Sequence, residues 1–212
     1  MSEKFKSDAS KILLIEGIND WHVINALCEH YVLPENFGLN VCGSDDLVFK
    51  KLRALLNTEN KEAIGVVLDA DNPNFAAKWH KFQAVLDKAG IQCDGKPNVT
   101  GTIIPATDVY PRIGLWLMPD NRVDGMLEDF CMTMAESSAI GFSQECVSAA
   151  QEKGHASFVA NHHSKAIVHT YLAWQDEPGR PLGQAITAKV LDPKHPLAQT
   201  FAGWLKRLFV DT

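Results

Sequence analysis

Lys11-Ile12-Leu13-Leu14-Ile15-Glu16-Gly17 and, further along, Ile64-Gly65-Val66-Val67-Leu68-Asp69-Ala70-Asp71 are two short apolar runs that each end on a carboxylate. Runs this short and this continuously apolar suit strands covered on both faces, as in the middle of a parallel sheet. Strands are therefore expected over 11–15 and 64–69. Between them, Ile18-Asn19-Asp20 reads as a turn and 20–31 as a helix with Val23, Ile24, Leu27 and Tyr31 on one face. A second short strand follows at 38–42, then a loop at Gly43-Ser44-Asp45 with Ser44 as cap, and a helix over 45–57 carrying Leu47, Val48, Leu52, Leu55 and Leu56. After the 64–69 strand, Asn72-Pro73-Asn74 opens a helix near Phe75 that runs to Lys88, and Gly90 stops it.

Strand and helix thus alternate three times. The alternation implies right-handed parallel crossovers and an α/β fold with a doubly wound, mostly parallel open sheet. Ligands of such sheets bind beyond the carboxyl ends of the strands, where Glu16 and Asp69 fall. Past residue 95, Val99 to Pro105 and Ile113 to Met118 read as two strands of a hairpin extending the sheet, joined by a loop containing Thr107 to Arg112. From Gly125 onward helical patterns dominate, near 125–136, 142–153, 161–174, 183–190 and 197–209, so the C-terminal third is expected to be mainly helical. Residues 1–135 read as an α/β core and 136–212 as a helical extension packed on it; a single domain over 1–212 is the alternative.

The 212 residues are 46% apolar and 22% charged, enough to bury one sizeable core. No apolar stretch reaches the ~18 to 20 residues of a membrane span, and Met1 to Ser10 is polar, without a signal-peptide core, so a cytoplasmic location is expected. The five cysteines (Cys28, Cys42, Cys93, Cys131, Cys146) have no Cys-x-x-Cys spacing and suggest neither a zinc site nor a disulfide framework. A net charge of −6 argues against general electrostatic binding of nucleic acid. It does not exclude a nuclease, because acids at a metal site are offset by the cations they bind. Lys50, Lys51 and Arg53, or Lys206 and Arg207, could track a phosphate backbone or simply form solvated helix faces.

Side chains two apart on an extended chain point the same way, so Asp69 and Asp71 face one site if the extended geometry persists through Ala70. Carboxylate oxygens suit magnesium or manganese, and Glu16 adds a third acid, as ligand or general base. Together the three point to phosphate chemistry. The structural alternatives are a polar turn at Glu16-Gly17 and a helix cap at Asp71 before Asn72-Pro73.

Leu13 to Asp20 followed by a helix, and then Val66-Val67-Leu68-Asp69-Ala70-Asp71-Asn72, resembles the Toprim domain shared by topoisomerases, primases and the overcoming-lysogenisation-defect (OLD) nucleases. The resemblance covers roughly the first 75 residues and implies that Glu16, Asp69 and Asp71 hold Mg2+ or Mn2+. Val123-Asp124-Gly125-Met126-Leu127-Glu128-Asp129-Phe130 is similar to the Leu-Glu element of the nuclease branch. That similarity implies a second-metal role for Glu128, with Asp129 behind it; acids in the first turn of a helix are also favoured by the macrodipole alone. The branch carries a later catalytic lysine, for which Lys165 is best placed, since His162, Lys165 and His169 share one face of a helix over 161–174. A solvated lysine beside two ordinary histidines is the plainer reading. The zinc ribbon, strand-passage tyrosine region and Gly-x-x-x-x-Gly-Lys-Ser/Thr loop of longer relatives are not recognisable, which leaves a stand-alone Toprim-like protein.

The resulting functional expectation is metal-dependent phosphodiester hydrolysis on DNA or RNA, with phosphoryl or nucleotidyl transfer on a small nucleotide as the enzymatic alternative. A receiver-type signalling module also places acids at strand ends, but it lacks the Asp-x-Asp and carries an acidic pair where Glu16-Gly17 stands alone. A catalytically idle subunit working with a separate ATPase is a further possibility. Leu197, Phe201, Trp204, Leu205 and Leu208 form an apolar stripe that is either core or the surface of a homodimer.

Overall fold

The computed structural model describes residues 9–211, so most of the polar Met1 to Ser10 run lies outside the described residues. In chain order the elements are β1 (Lys11–Ile15), α1 (Ile18–His30), β2 (Gly38–Val41), α2 (Asp45–Leu56), β3 (Ala63–Asp69), α3 (Phe75–Asp87), β4 (Thr102–Ile104) and β5 (Arg112–Met118). They are followed by α4 (Leu127–Thr133), α5 (Ser137–Glu152), α6 (His163–Ala173), α7 (Leu182–Thr187) and α8 (Pro196–Phe209). The strands form one five-stranded open sheet in the order β2-β1-β3-β5-β4. β1, β2, β3 and β5 are mutually parallel, and β4 runs antiparallel to β5 at one edge. The chain steps from β1 outward to β2 and then returns past β1 to β3. The order therefore reverses between β1 and β3, which makes their carboxyl ends the switch point of the sheet.

Strand alternation divides the core cleanly. Leu13, Ile15, Val67, Trp116 and Met118 face α1, α4, α6, α7 and α8. Ile12, Leu14, Ile64, Val66, Leu68, Ile113, Leu115 and Leu117 face α2 and α3. Apart from the terminal Lys11, Asp69 and Arg112, both sides of β1, β3 and β5 are buried, which is why these strands are continuously apolar rather than alternating. Phe201, Trp204, Leu205 and Leu208 of the C-terminal stripe are fully buried, with Leu197 packed beside them, so this face is core. Among the described residues no helix is long and apolar enough to cross a membrane.

Helix starts follow their caps. α1 begins at Ile18, so the residues expected to form a turn make its first helical turn, with Gly17 extended and its N–H donating to the Asp20 carboxylate (3.0 Å). α5 begins at Ser137, ahead of the expected 142, because the Glu136 carboxylate accepts from the N–H groups of Ser138 and Ala139. Before α6, Ala160–His162 forms a 3-10 turn, leaving His162 at the cap of the helix expected to contain it.

Packing against the sheet is tight at Gly65 and Gly114, which sit opposite each other on β3 and β5. A Cβ on Gly65 would lie 2.6 Å from Leu13 Cδ1 and 2.9 Å from Leu208 Cδ2, and one on Gly114 only 2.5 Å from Leu208 Cδ2. The absent side chains are what let α8 seat on the sheet. Gly114→Ala is expected to lower stability by about 1 to 3 kcal/mol through overpacking, read by urea denaturation; an unchanged midpoint would show that α8 shifts freely.

Candidate functional site

The carboxyl ends of β1 and β3 are tied together by their acids. Glu16, the residue after β1, accepts the Asp69 N–H at 3.0 Å through Oε1. Asp69, the last residue of β3, accepts the Leu127 N–H at 2.8 Å through Oδ1. That bond brings the N-terminus of α4 against the two strand ends. Asp71 does not continue the strand: its φ is +59°, in the left-handed region. Strand alternation through Ala70 is therefore not what places it. Asp71 and Gly125 exchange both backbone hydrogen bonds (2.8 and 3.0 Å), and this bridge turns the Asp71 carboxylate toward the cleft. The Asp124 carboxylate adds a bond to the Phe75 N–H (2.8 Å) and so caps α3 from the opposite loop.

Two lysines complete the arrangement. Lys78 on α3 is only 8% exposed, and its ammonium lies 2.8 Å from Asp71 Oδ2 and 3.1 Å from Asp45 Oδ2. Lys165 on α6 lies 3.3 Å from Oε1 of the buried Glu128. Asp129 has a different task. Its Oδ2 accepts the Met126 N–H (2.8 Å) and its Oδ1 accepts the Ser164 hydroxyl (2.7 Å), so both oxygens fix α4 and α6 and the residue stays out of the cleft lining.

The resulting cleft has a volume of about 510 Å³ and brings together Glu16, Asp20, Asp69, Asp71, Glu128, His162 and Lys165. His169 is exposed and is not among the lining residues. So many acids in a partly dry site repel one another. Burial pushes Glu16 up to about 7 even though Lys78 pulls it down. Asp20 is pushed up to about 6, again by burial and also by Glu128, against the Gly17 N–H. Asp69 is raised well above the carboxylate range by burial and by the charges of Asp20, Glu16 and Glu128.

Among the described residues, no three acids, imidazoles or thiols already converge tightly enough to enclose one ion. The donor chemistry nevertheless fits a hard divalent cation. Magnesium keeps several waters and takes only one or two carboxylates directly, and every acid in the lining offers hard oxygen. A cation there would also offset the burial and the mutual repulsion that raise Glu16 and Asp69.

Neither Asp20 nor Lys78 was expected as a site residue, yet both carried a readable signal. Asp20 stands in step with the buried Val23, Ile24 and Leu27, and Lys78 in step with the buried Phe82, Val85 and Leu86. A charged residue on the apolar stripe of a helix must find partners in the interior. The basic residues considered as backbone trackers are partly engaged within the protein: Lys51 donates to Asn40 Oδ1 (2.7 Å), and Arg207 donates to the Thr100 carbonyl (2.5 Å).

A pH dependence follows from the raised acids. Because folding favours protonated Glu16, its contribution is complete below its ordinary value of 4.5 and is lost as the pH rises through about 7. Without divalent cations the melting temperature should fall from pH 5 to pH 8. Glu16→Gln keeps the acceptor for the Asp69 N–H and should raise stability at pH 8 by about 1 to 3 kcal/mol, flattening the profile. A variant profile parallel to wild type would show that Glu16 is not a strained acid.

Comparison with curated proteins and with solved structures returned no match to either. The profile of the family described as "Protein of unknown function (DUF3226)" matches residues 10–210, almost the whole chain, and the chain belongs to that family.

Proposed function

We propose that this chain is a Toprim-like, metal-dependent phosphodiesterase of the cytoplasm that acts on DNA or RNA, using Mg2+ or Mn2+ held by Glu16, Asp69 and Asp71. The observation that carries the reading is the convergence of these acids with Asp20 and Glu128 at the switch point between β1 and β3, in one open cleft that Lys165 also lines. A bound divalent cation supplies Lewis-acid polarisation of the phosphoryl group and a hydroxide nucleophile near neutral pH.

The chain's own groups have distinct parts. Asp69, anchored through one oxygen by the Leu127 N–H, offers the other to the cleft. Glu16 is anchored in the same way by the Asp69 N–H, and its free oxygen can hold an ion or take a proton from the attacking water. Glu128 stands across the cleft for a second cation. Lys165, half-exposed and 3.3 Å from Glu128, is within reach of a phosphate and can offset the charge that develops on it. The cleft volume of about 510 Å³ also suits a small nucleotide. Phosphoryl or nucleotidyl transfer by the same acids is therefore the second reading.

The test is cleavage of labelled single-stranded DNA, double-stranded DNA and RNA with Mg2+, Mn2+ or EDTA. Wild type should cleave at least one substrate only with metal. Glu16→Ala, and Asp69→Ala with Asp71→Ala, should each lose at least about 10²-fold while keeping their circular dichroism. Cleavage surviving both changes would contradict the reading. Absence of cleavage with turnover of a nucleoside triphosphate would favour the second, and absence of both would favour an idle subunit that works with an ATPase.

A further inference from the structure

A buried ammonium beside a candidate metal ligand calls for a reason. Lys78 stands on the face of α3 that carries Trp79, Phe82, Val85 and Leu86 into the core, where an apolar residue would be the ordinary occupant. Desolvating a lysine is costly unless it is paired. Lys78 is paired twice, with Asp71 of the cleft (2.8 Å) and with Asp45 in the first turn of α2 (3.1 Å). Asp45 is itself held by Lys81 (3.2 Å), which also binds Asp46 (2.6 Å) and lies 4.7 Å over the Phe49 ring. One charge is therefore divided between a carboxylate of the cleft and a carboxylate outside its lining.

We propose that Lys78 is a positioning residue and built-in counter-ion: it fixes Asp71 through one carboxylate oxygen, and its sharing with Asp45 sets how strongly the cleft attracts a divalent cation. The inference rests on the reading of the cleft as a divalent-cation site. Three features support it. The Asp71 backbone is already fixed by the Gly125 bridge, so the Lys78 contact settles which side-chain oxygen is left for the cleft. Asp71 is 43% exposed, so its carboxylate could be solvated without Lys78, and it is the buried lysine rather than the acid that needs the pair. Lys78 is also the main positive influence on Glu16, so its field reaches a second cleft acid.

The two partners of the shared charge give opposite signs when altered. Lys78→Met removes a positive charge beside Asp71 and Glu16, so the cleft binds cations more tightly. It also frees the Asp71 side chain to rotate, which lowers turnover. Asp45→Asn leaves the Lys78 charge wholly to Asp71 and weakens cation binding. A lysine serving only to hold the fold together would produce no such reversal.

The measurement is thermal stabilisation by MgCl2, titrated for wild type, Lys78→Met, Lys78→Arg, Asp45→Asn and Asp69→Asn, with cleavage measured at saturating Mg2+. The half-saturating concentration should fall roughly three- to tenfold in Lys78→Met, rise by a similar factor in Asp45→Asn and stay near wild type in Lys78→Arg. Turnover should drop in Lys78→Met despite the tighter binding. An unchanged or weakened affinity in Lys78→Met, with wild type responding and Asp69→Asn not, would overturn the role of Lys78 and leave the metal reading intact. Shifts of the same sign in Lys78→Met and Asp45→Asn would also overturn it. If wild type itself shows no stabilisation that Asp69→Asn abolishes, both readings fall. Should Lys78→Met not fold, the Asp45→Asn and Lys78→Arg titrations carry the decision.

Discussion

Five carboxylates crowded at the carboxyl ends of β1 and β3 repel one another, and much of the surrounding structure is arranged to hold them there. Backbone amides take part of the load: Asp69 N–H for Glu16, Leu127 N–H for Asp69 and Gly17 N–H for Asp20. Two lysines take another part, one from α3 and one from α6. Each of these donors belongs to a different segment from the acid it serves, except Gly17. Keeping the acids in place therefore also fixes how α3, α4 and α6 dock on the sheet. Burial first, and the neighbouring charges second, raise the proton affinity of Glu16, Asp20 and Asp69.

The sheet makes this concentration possible. Strand order reverses between β1 and β3, so the helices that leave these strands go to opposite faces and leave a crevice above the strand ends. Beneath it, both faces of β1 and β3 are sealed by apolar packing, with Gly65 and Gly114 admitting α8 to within contact of the sheet. A firm floor of this kind is what allows a strained acidic rim above it.

The parallel strands were legible because burial on both faces writes a continuous apolar run, as in Ile12 to Ile15 and Ile64 to Leu68. The antiparallel β4–β5 hairpin was legible from its two runs and the turn residues between them. Glu16 and Asp69 could be placed because they end such runs. Asp71 was expected to face the same site as Asp69 through strand alternation; it does line the same cleft, but alternation stops at Asp69 and a backbone bridge to Gly125 places it there. No local pattern announces a pairing between residues so far apart in sequence. Asp129 was a candidate because it follows Glu128, but neighbours on a helix point in different directions, and Asp129 is taken up by Met126 and Ser164. Neither Asp20, read as part of a turn, nor Lys78 was expected at the site, because neither ends a strand. Their step with the buried residues of α1 and α3 is the sign that marks an interior charge.

The central claim is that this acidic crevice is built to hold divalent cations for phosphate chemistry. Anomalous diffraction from crystals soaked in MnCl2 tests it most directly. The account predicts a manganese peak bounded by Glu16, Asp69 and Asp71, with any second peak on the Glu128 side. Strong peaks elsewhere with none in the crevice, at a concentration that saturates other manganese sites, would contradict it and leave the cluster as a structural network of acids and lysines.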